Sequence, residues 1–199
     1  MYSSGMKTHF PKCAVLSIGL LLVASCSNEG SEQATDGAEA LLSPYQSCVE
    51  QAAAMNLEAK TAYQTELRDL VVANRSDFAP LADVNLEFQL SLSQLRAARI
   101  GYLLRTDDAR LITDQGASAF TNFDWSIKDE AGFVAADPEH ADLIAKAAQW
   151  REMNDGHKVW PAFRSWFGET LASSDELDAI TGRLVAARDQ LEAHLVTCQ

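Results

Sequence analysis

Apolar residues recur every three or four positions along most of the chain after residue 43. Tyr45, Cys48, Ala52, Met55, Ala59, Tyr63, Leu67 and Leu70 predict an amphipathic helix to about Asn74. Ser43-Pro44 ahead of it supplies an N-cap and a first-turn proline. Arg75-Ser76-Asp77 breaks the pattern, and Pro80 opens a second helix with the stripe Val84, Phe88, Leu92, Leu95, Ala98 and Tyr102. Asp107-Asp108 interrupts that stripe, although Ala109 to Ile112 can carry it on. Phe120, Phe123, Ile127 and Ala131 predict a helix ending at Gly132. Asp137-Pro138-Glu139 starts the next, with Leu143, Ile144, Ala147 and Trp150 on its apolar face and Asn154-Asp155-Gly156 as its stop. Trp160, Phe163, Phe167 and Leu171 form a further stripe. Ser173 to Glu176 has capping-box spacing before a last helix burying Leu177, Ile180, Leu184, Ala187, Leu191, Leu195 and Cys198.

The first 43 residues carry a different pattern. Lys7, His9 and Lys12 make a basic start, and Cys13 to Ala24 are twelve uncharged, mostly apolar residues. As a helix that run spans roughly 18 Å, too short for a hydrocarbon core of about 30 Å. A short apolar run behind a basic flank, ending in small residues, reads as a signal peptide. Leu20-Leu21-Leu22-Val23-Ala24-Ser25-Cys26 resembles a bacterial lipobox, which implies cleavage before Cys26 and lipidation of that cysteine. An ordinary cleaved signal peptide is the alternative. Residues 27–43, polar and turn-prone, read as the rest of a flexible tether spanning 26–43. For a Gram-negative source, the absence of Asp at position 27 favours the outer membrane, with the protein lipid-anchored and facing the periplasm.

No segment alternates as a strand, so the expected fold is all-α. It is an antiparallel helical bundle over residues 44–199, with four long or six shorter helices and both termini at one end. Cys13 leaves with the signal and Cys26 takes the lipid. Cys48 and Cys198 then remain on the stripes of the first and last helices, in an oxidising setting. A bond between them requires an even number of antiparallel segments and is worth up to ~5 kcal/mol in the chain-entropy model. Two free thiols are the alternative; a metal site built on these cysteines lacks evident partners in the sequence.

Charge narrows the partners. The chain carries a net charge of −12, and cleavage before Cys26 would remove two lysines and no acid, leaving 174 residues at −14. That acidity argues against nucleic acid and against broad adhesion to anionic headgroups, so membrane contact is expected through the lipid alone.

The run Leu95-Arg96-Ala97-Ala98-Arg99-Ile100-Gly101-Tyr102-Leu103-Leu104-Arg105-Thr106-Asp107-Asp108 resembles the helical-bundle sensor domains of bacterial chemoreceptors. Those domains carry a basic, Ala-rich helix into Tyr-Leu-Leu and an acidic turn, and bind small ligands, often carboxylates, between helices. The sequence departs from them in having neither a second membrane span nor a signalling module. The resemblance implies Arg96 and Arg99, three apart on one face, as candidate anion ligands. A solvated face with acidic neighbours is the plainer reading of the same pair. The aromatic stretch Trp160-Pro161-Ala162-Phe163-Arg164-Ser165-Trp166-Phe167 can line an apolar pocket with Arg164 at its mouth, present Trp166 to a protein partner, or simply be core, with Trp125 and Trp150 joining it.

His140, His157 and His194 are scattered and form neither HExxH nor the Glu-x-x-His unit of di-iron bundles, and no GxSxG elbow occurs. No catalytic residue, metal or cofactor is therefore expected. The sequence points to a ligand-binding lipoprotein or, alternatively, an envelope scaffold docking another protein through a helix face.

Overall fold

The computed structural model describes residues 42–198. The readings for residues 1–25 and for most of the 26–43 tether, including Cys26, lie outside the described residues. Seven α-helices and no strand occur among the described residues: α1 Pro44–Asn74, α2 Ala79–Thr106, α3 Gly116–Thr121, α4 Ile127–Ala136, α5 Glu139–Asp155, α6 Trp160–Trp166 and α7 Asp175–Thr197. Four are long and three are short connectors. The fold is an all-α helical bundle.

The helix ends follow local chemistry. Ser43 caps α1: its hydroxyl accepts from Gln46 N at 3.1 Å while Gln46 Oε1 accepts from Ser43 N at 3.0 Å. Gln46 Nε2 also donates to the Leu104 carbonyl at 2.7 Å, tying the start of α1 to the end of α2. A 3₁₀ turn, Ser76–Phe78, joins α1 to α2, and Arg68 Nε to Asp83 Oδ1 at 2.7 Å closes that hairpin. The pairs Cys48–Cys198 and Glu66–Arg183 set α7 antiparallel to α1. Arg151 lies over the Phe88 ring, near the opposite end of α5 from His140, which sits beside Ala98. α5 is therefore antiparallel to α2. The long helices run up-down-up-down and pack in the order α7–α1–α2–α5, with the α1–α2 hairpin central. Four antiparallel segments satisfy the parity that a Cys48–Cys198 bond demands, and both ends of the described chain lie at one pole.

Two expectations need correcting. The region between α2 and α5 is not one helix ending at Gly132: α3 stops at Thr121, residues 122–126 form no helix, and α4 continues past Gly132 to Ala136. Ile127, expected on the apolar face, is 91% exposed. Ser126 starts α4, because its hydroxyl accepts from Asp129 N and Asp129 Oδ2 accepts from Ser126 N at 2.7 Å. Likewise α7 is capped by Ser174, which accepts from Leu177 N, and not by Ser173.

Three apolar clusters fill the bundle. One, at the termini, holds Val49, Ile100, Leu103, Phe120, Leu191 and Leu195. One at the far pole gathers Val71, Phe78, Ala82 and Leu171 beneath Phe163, Trp166 and Phe167. The third, between α2, α4 and α5, is centred on Leu95, Phe133 and Ala147.

Candidate functional site

Among the described residues, α1 and α7 frame a groove of about 390 Å³ on the flank of the bundle. Half-buried Ala59, Leu184 and Ala187 line it, with exposed Ala62 beside them. Methyl groups facing each other across two helices leave space that larger side chains would fill. Glu66 and Arg183 close one end: Arg183 donates to Glu66 Oε2 from Nη2 at 2.6 Å and from Nε at 3.1 Å. The Arg183 side chain is 60% exposed, so this pair is held in water and its arginine remains accessible. A smaller recess, about 170 Å³, lies across α7 against α3 and shares Ala59, Leu184 and Ala187 with the first. The middle of α7 is thus thinly packed on both sides. The groove can take an apolar body against its alanines and a polar end beside Arg183 and Glu66.

The arginines singled out in the sequence lie elsewhere. Arg96 is exposed on α2. Arg99 is half-buried and engaged: its Nη2 donates to Glu130 Oε2 at 2.7 Å and its guanidinium lies 4.7 Å from the centre of the Trp125 ring. Trp125 Nε1 donates to the same Glu130 oxygen at 2.6 Å. The Arg99 Nε, buried, has no partner among the described residues. Arg99 therefore fastens α4 to α2. Arg164 is exposed and lies over the Trp160 ring, whose Nε1 donates to the Asn154 carbonyl.

Trp160 and Trp166 are half-buried at the far pole. Phe163 bridges them, and Trp166 rests on Phe78 with Arg75 above both rings. Trp125 does not join this group. It packs edge-on against Tyr102 and Phe133 beneath Arg99, so the indoles divide between two regions.

Cys48 and Cys198 have their sulfurs 2.12 Å apart and Cα atoms 5.4 Å apart, at disulfide distance. His194 stands beside them, its Nε2 3.6 Å from Cys48 Sγ and 3.0 Å from the Cys48 carbonyl oxygen. The expectation that these cysteines lack a nearby metal-binding partner therefore fails. His194 lies one helical turn before Cys198, a spacing of four that was legible on α7; its proximity to Cys48, 146 residues away, was not. Arg183 was also missed. It sits three residues after Ile180, at the edge of the α7 stripe, where it resembles any solvated arginine.

Charge also fastens the start of α4. Arg110 clasps Asp129 through Nη1–Oδ1 at 2.8 Å and Nη2–Oδ2 at 3.1 Å and also donates to the Asp124 carbonyl. The guanidinium and the Ser126 hydrogen bonds hold the Asp129 carboxyl well below the usual carboxylate range. No described helix is long and apolar enough to cross a membrane. Comparison of the chain with protein-family models, curated proteins and solved structures returned no match.

Proposed function

We propose that the protein is a lipoprotein, anchored at the outer membrane through Cys26 and facing the periplasm, whose bundle binds a small amphipathic ligand in the α1–α7 groove. The observation that carries the binding reading is the groove itself. Its volume of about 390 Å³ falls in the range of small-molecule sites, alanine, leucine and isoleucine side chains line it, and the Glu66–Arg183 pair stands at one end, with Glu58 also on its wall. The resemblance of the Leu95–Asp108 run to sensor domains points to the same class of activity. The ligand seat, however, is assigned to the groove, because Arg99 is already taken by Glu130 and Trp125. An anionic ligand end would share Arg183 with Glu66.

Thermal unfolding against a series of small carboxylates, with alkyl and aromatic bodies, tests this. A ligand at 100 times its Kd adds ~2.7 kcal/mol of stability. The stabilisation should disappear when Ala62→Trp fills the groove and weaken in Arg183→Ala. No stabilisation by any member of the series, or one undiminished in Ala62→Trp, removes the reading. Anchoring is tested separately, by the loss of membrane association in Cys26→Ser.

A second reading, an envelope scaffold, rests on the half-exposed indoles of Trp160 and Trp166 at the pole opposite the termini. A photocrosslinker at Trp160 that captures one stoichiometric envelope protein, together with an inert groove, favours it.

A further inference from the structure

The cluster at the terminal pole has a composition that a purely structural crosslink does not require. Cys48, Cys198 and His194 each offer one ligand atom, and these atoms all lie within 4.8 Å of one another. They come from two helices: Cys48 from the second turn of α1, His194 from the last turn of α7 and Cys198 from the residue that caps it. Two thiolates and an imidazole are the donor set of thiophilic cations such as Zn²⁺.

We propose that, once reduced, Cys48 and Cys198 join His194 in a Cys₂His site for a thiophilic divalent cation of the Zn²⁺ class. The pair then alternates between a disulfide without metal and a metal-bound dithiolate.

The distances suit this exchange. Bond lengths of about 2.3 Å to sulfur and 2.0 Å to nitrogen in a tetrahedral site place sulfur and nitrogen roughly 3.5 Å apart and the two sulfurs roughly 3.8 Å apart. Cys48 Sγ and His194 Nε2 are already 3.6 Å apart. The sulfur pair must separate and Cys198 Sγ, within 4.8 Å of the imidazole, must close to ligand spacing; Cys48 is half-buried, so its side chain has room to turn. Ligation uses the His194 tautomer with its proton on Nδ1, which frees Nε2 from the Cys48 carbonyl. Exposed Thr197, with Oγ1 3.9 Å from Cys48 Sγ, stands beside the cluster.

The chemistry balances in two steps. A dithiol reductant gives two electrons and two protons to the Cys48–Cys198 bond, which breaks to two thiols as the dithiol becomes a disulfide. The cation then displaces both thiol protons, which pass to solvent.

Reducing the purified protein with a phosphine, removing the reagent anaerobically and titrating with Zn²⁺ alone tests the proposal. Co²⁺ serves as the optical probe, through its thiolate charge-transfer band. One equivalent should bind, the melting temperature of the reduced protein should rise, and reoxidation should release the ion. His194→Ala should weaken binding at least tenfold. Helical circular dichroism of its oxidised form shows that this variant still folds. The proposal is overturned if the reduced protein takes up no more Zn²⁺ than Cys48→Ser, if His194→Ala binds as tightly as the parent, or if a reduced chain that loses its helicity does not regain it with Zn²⁺.

Discussion

The two flanks of the central α1–α2 hairpin are built from different materials. On the α2 side, Phe133 is fully buried between Tyr102 and Trp125 and stacks face to face on His140 at 3.7 Å. His140 Nδ1–H donates to the Phe133 carbonyl at 2.7 Å, and Arg99 and Arg110 fasten α4 through Glu130 and Asp129. On the α7 side, alanines meet alanines and one solvated ion pair spans the helices. Aromatic rings with directional partners fill one seam, and short side chains leave the other open. The middle of the open seam, beyond the Cys48–Cys198 end, is free to hold something else.

Breaking that contrast gives graded expectations. Phe133→Ala should cost about 3–5 kcal/mol in urea unfolding, since it empties a fully enclosed site. Leu184→Ala on the open seam should cost roughly 1–2 kcal/mol, because less of the Leu184 surface is removed from water. Equal losses would show that the two seams are alike.

Gly132→Ala is next in size. A Cβ there would run into the Tyr102 hydroxyl, and the repacking of Tyr102 against Trp125 and Phe133 should cost about 1–3 kcal/mol. Pairing it with Tyr102→Phe, which removes the obstructing oxygen, should recover most of the loss.

The smallest effect concerns pH. Asp129 has a lowered carboxyl pKa in the folded state, so its contribution is present above the ordinary aspartate value, about 3.9. It is lost as pH falls through the folded value below that. Asp129→Asn should therefore flatten stability against pH between about 4 and 2, leaving the difference above pH 5 constant. Parallel profiles for parent and variant would show that the clasp with Arg110 adds nothing.

The long helices were legible because each carries an uninterrupted stripe and chemical punctuation: Ser43-Pro44, Arg75-Ser76-Asp77, Pro138, Gly156. The connector between α2 and α5 was not, because its break is made by distant partners. Arg110 holds the Asp124 carbonyl, Arg99 and Glu130 capture Trp125, and the resulting bend turns Ile127 outward. The Ser126–Asp129 capping spacing was visible there, and the apolar periodicity obscured it. At α7, the Ser173–Glu176 spacing pointed to a cap one residue too early, and the hydrogen bond from Leu177 N to the Ser174 hydroxyl sets the start. The groove was illegible for a different reason: alanine on a stripe reads as core whether the facing residue is large or small.

The Cys48–Cys198 link also changes how sequence distance counts. The two cysteines are 150 residues apart along the chain and adjacent through the bond, so the oxidised polypeptide between them closes into a ring. On a ring, α1 and α7 are as much neighbours as α1 and α2. The pairing with the largest loop-closure cost in a linear chain becomes a hairpin in this one. An oxidised chain thus begins folding with its first and last helices already introduced, whereas a reduced chain must find that contact last.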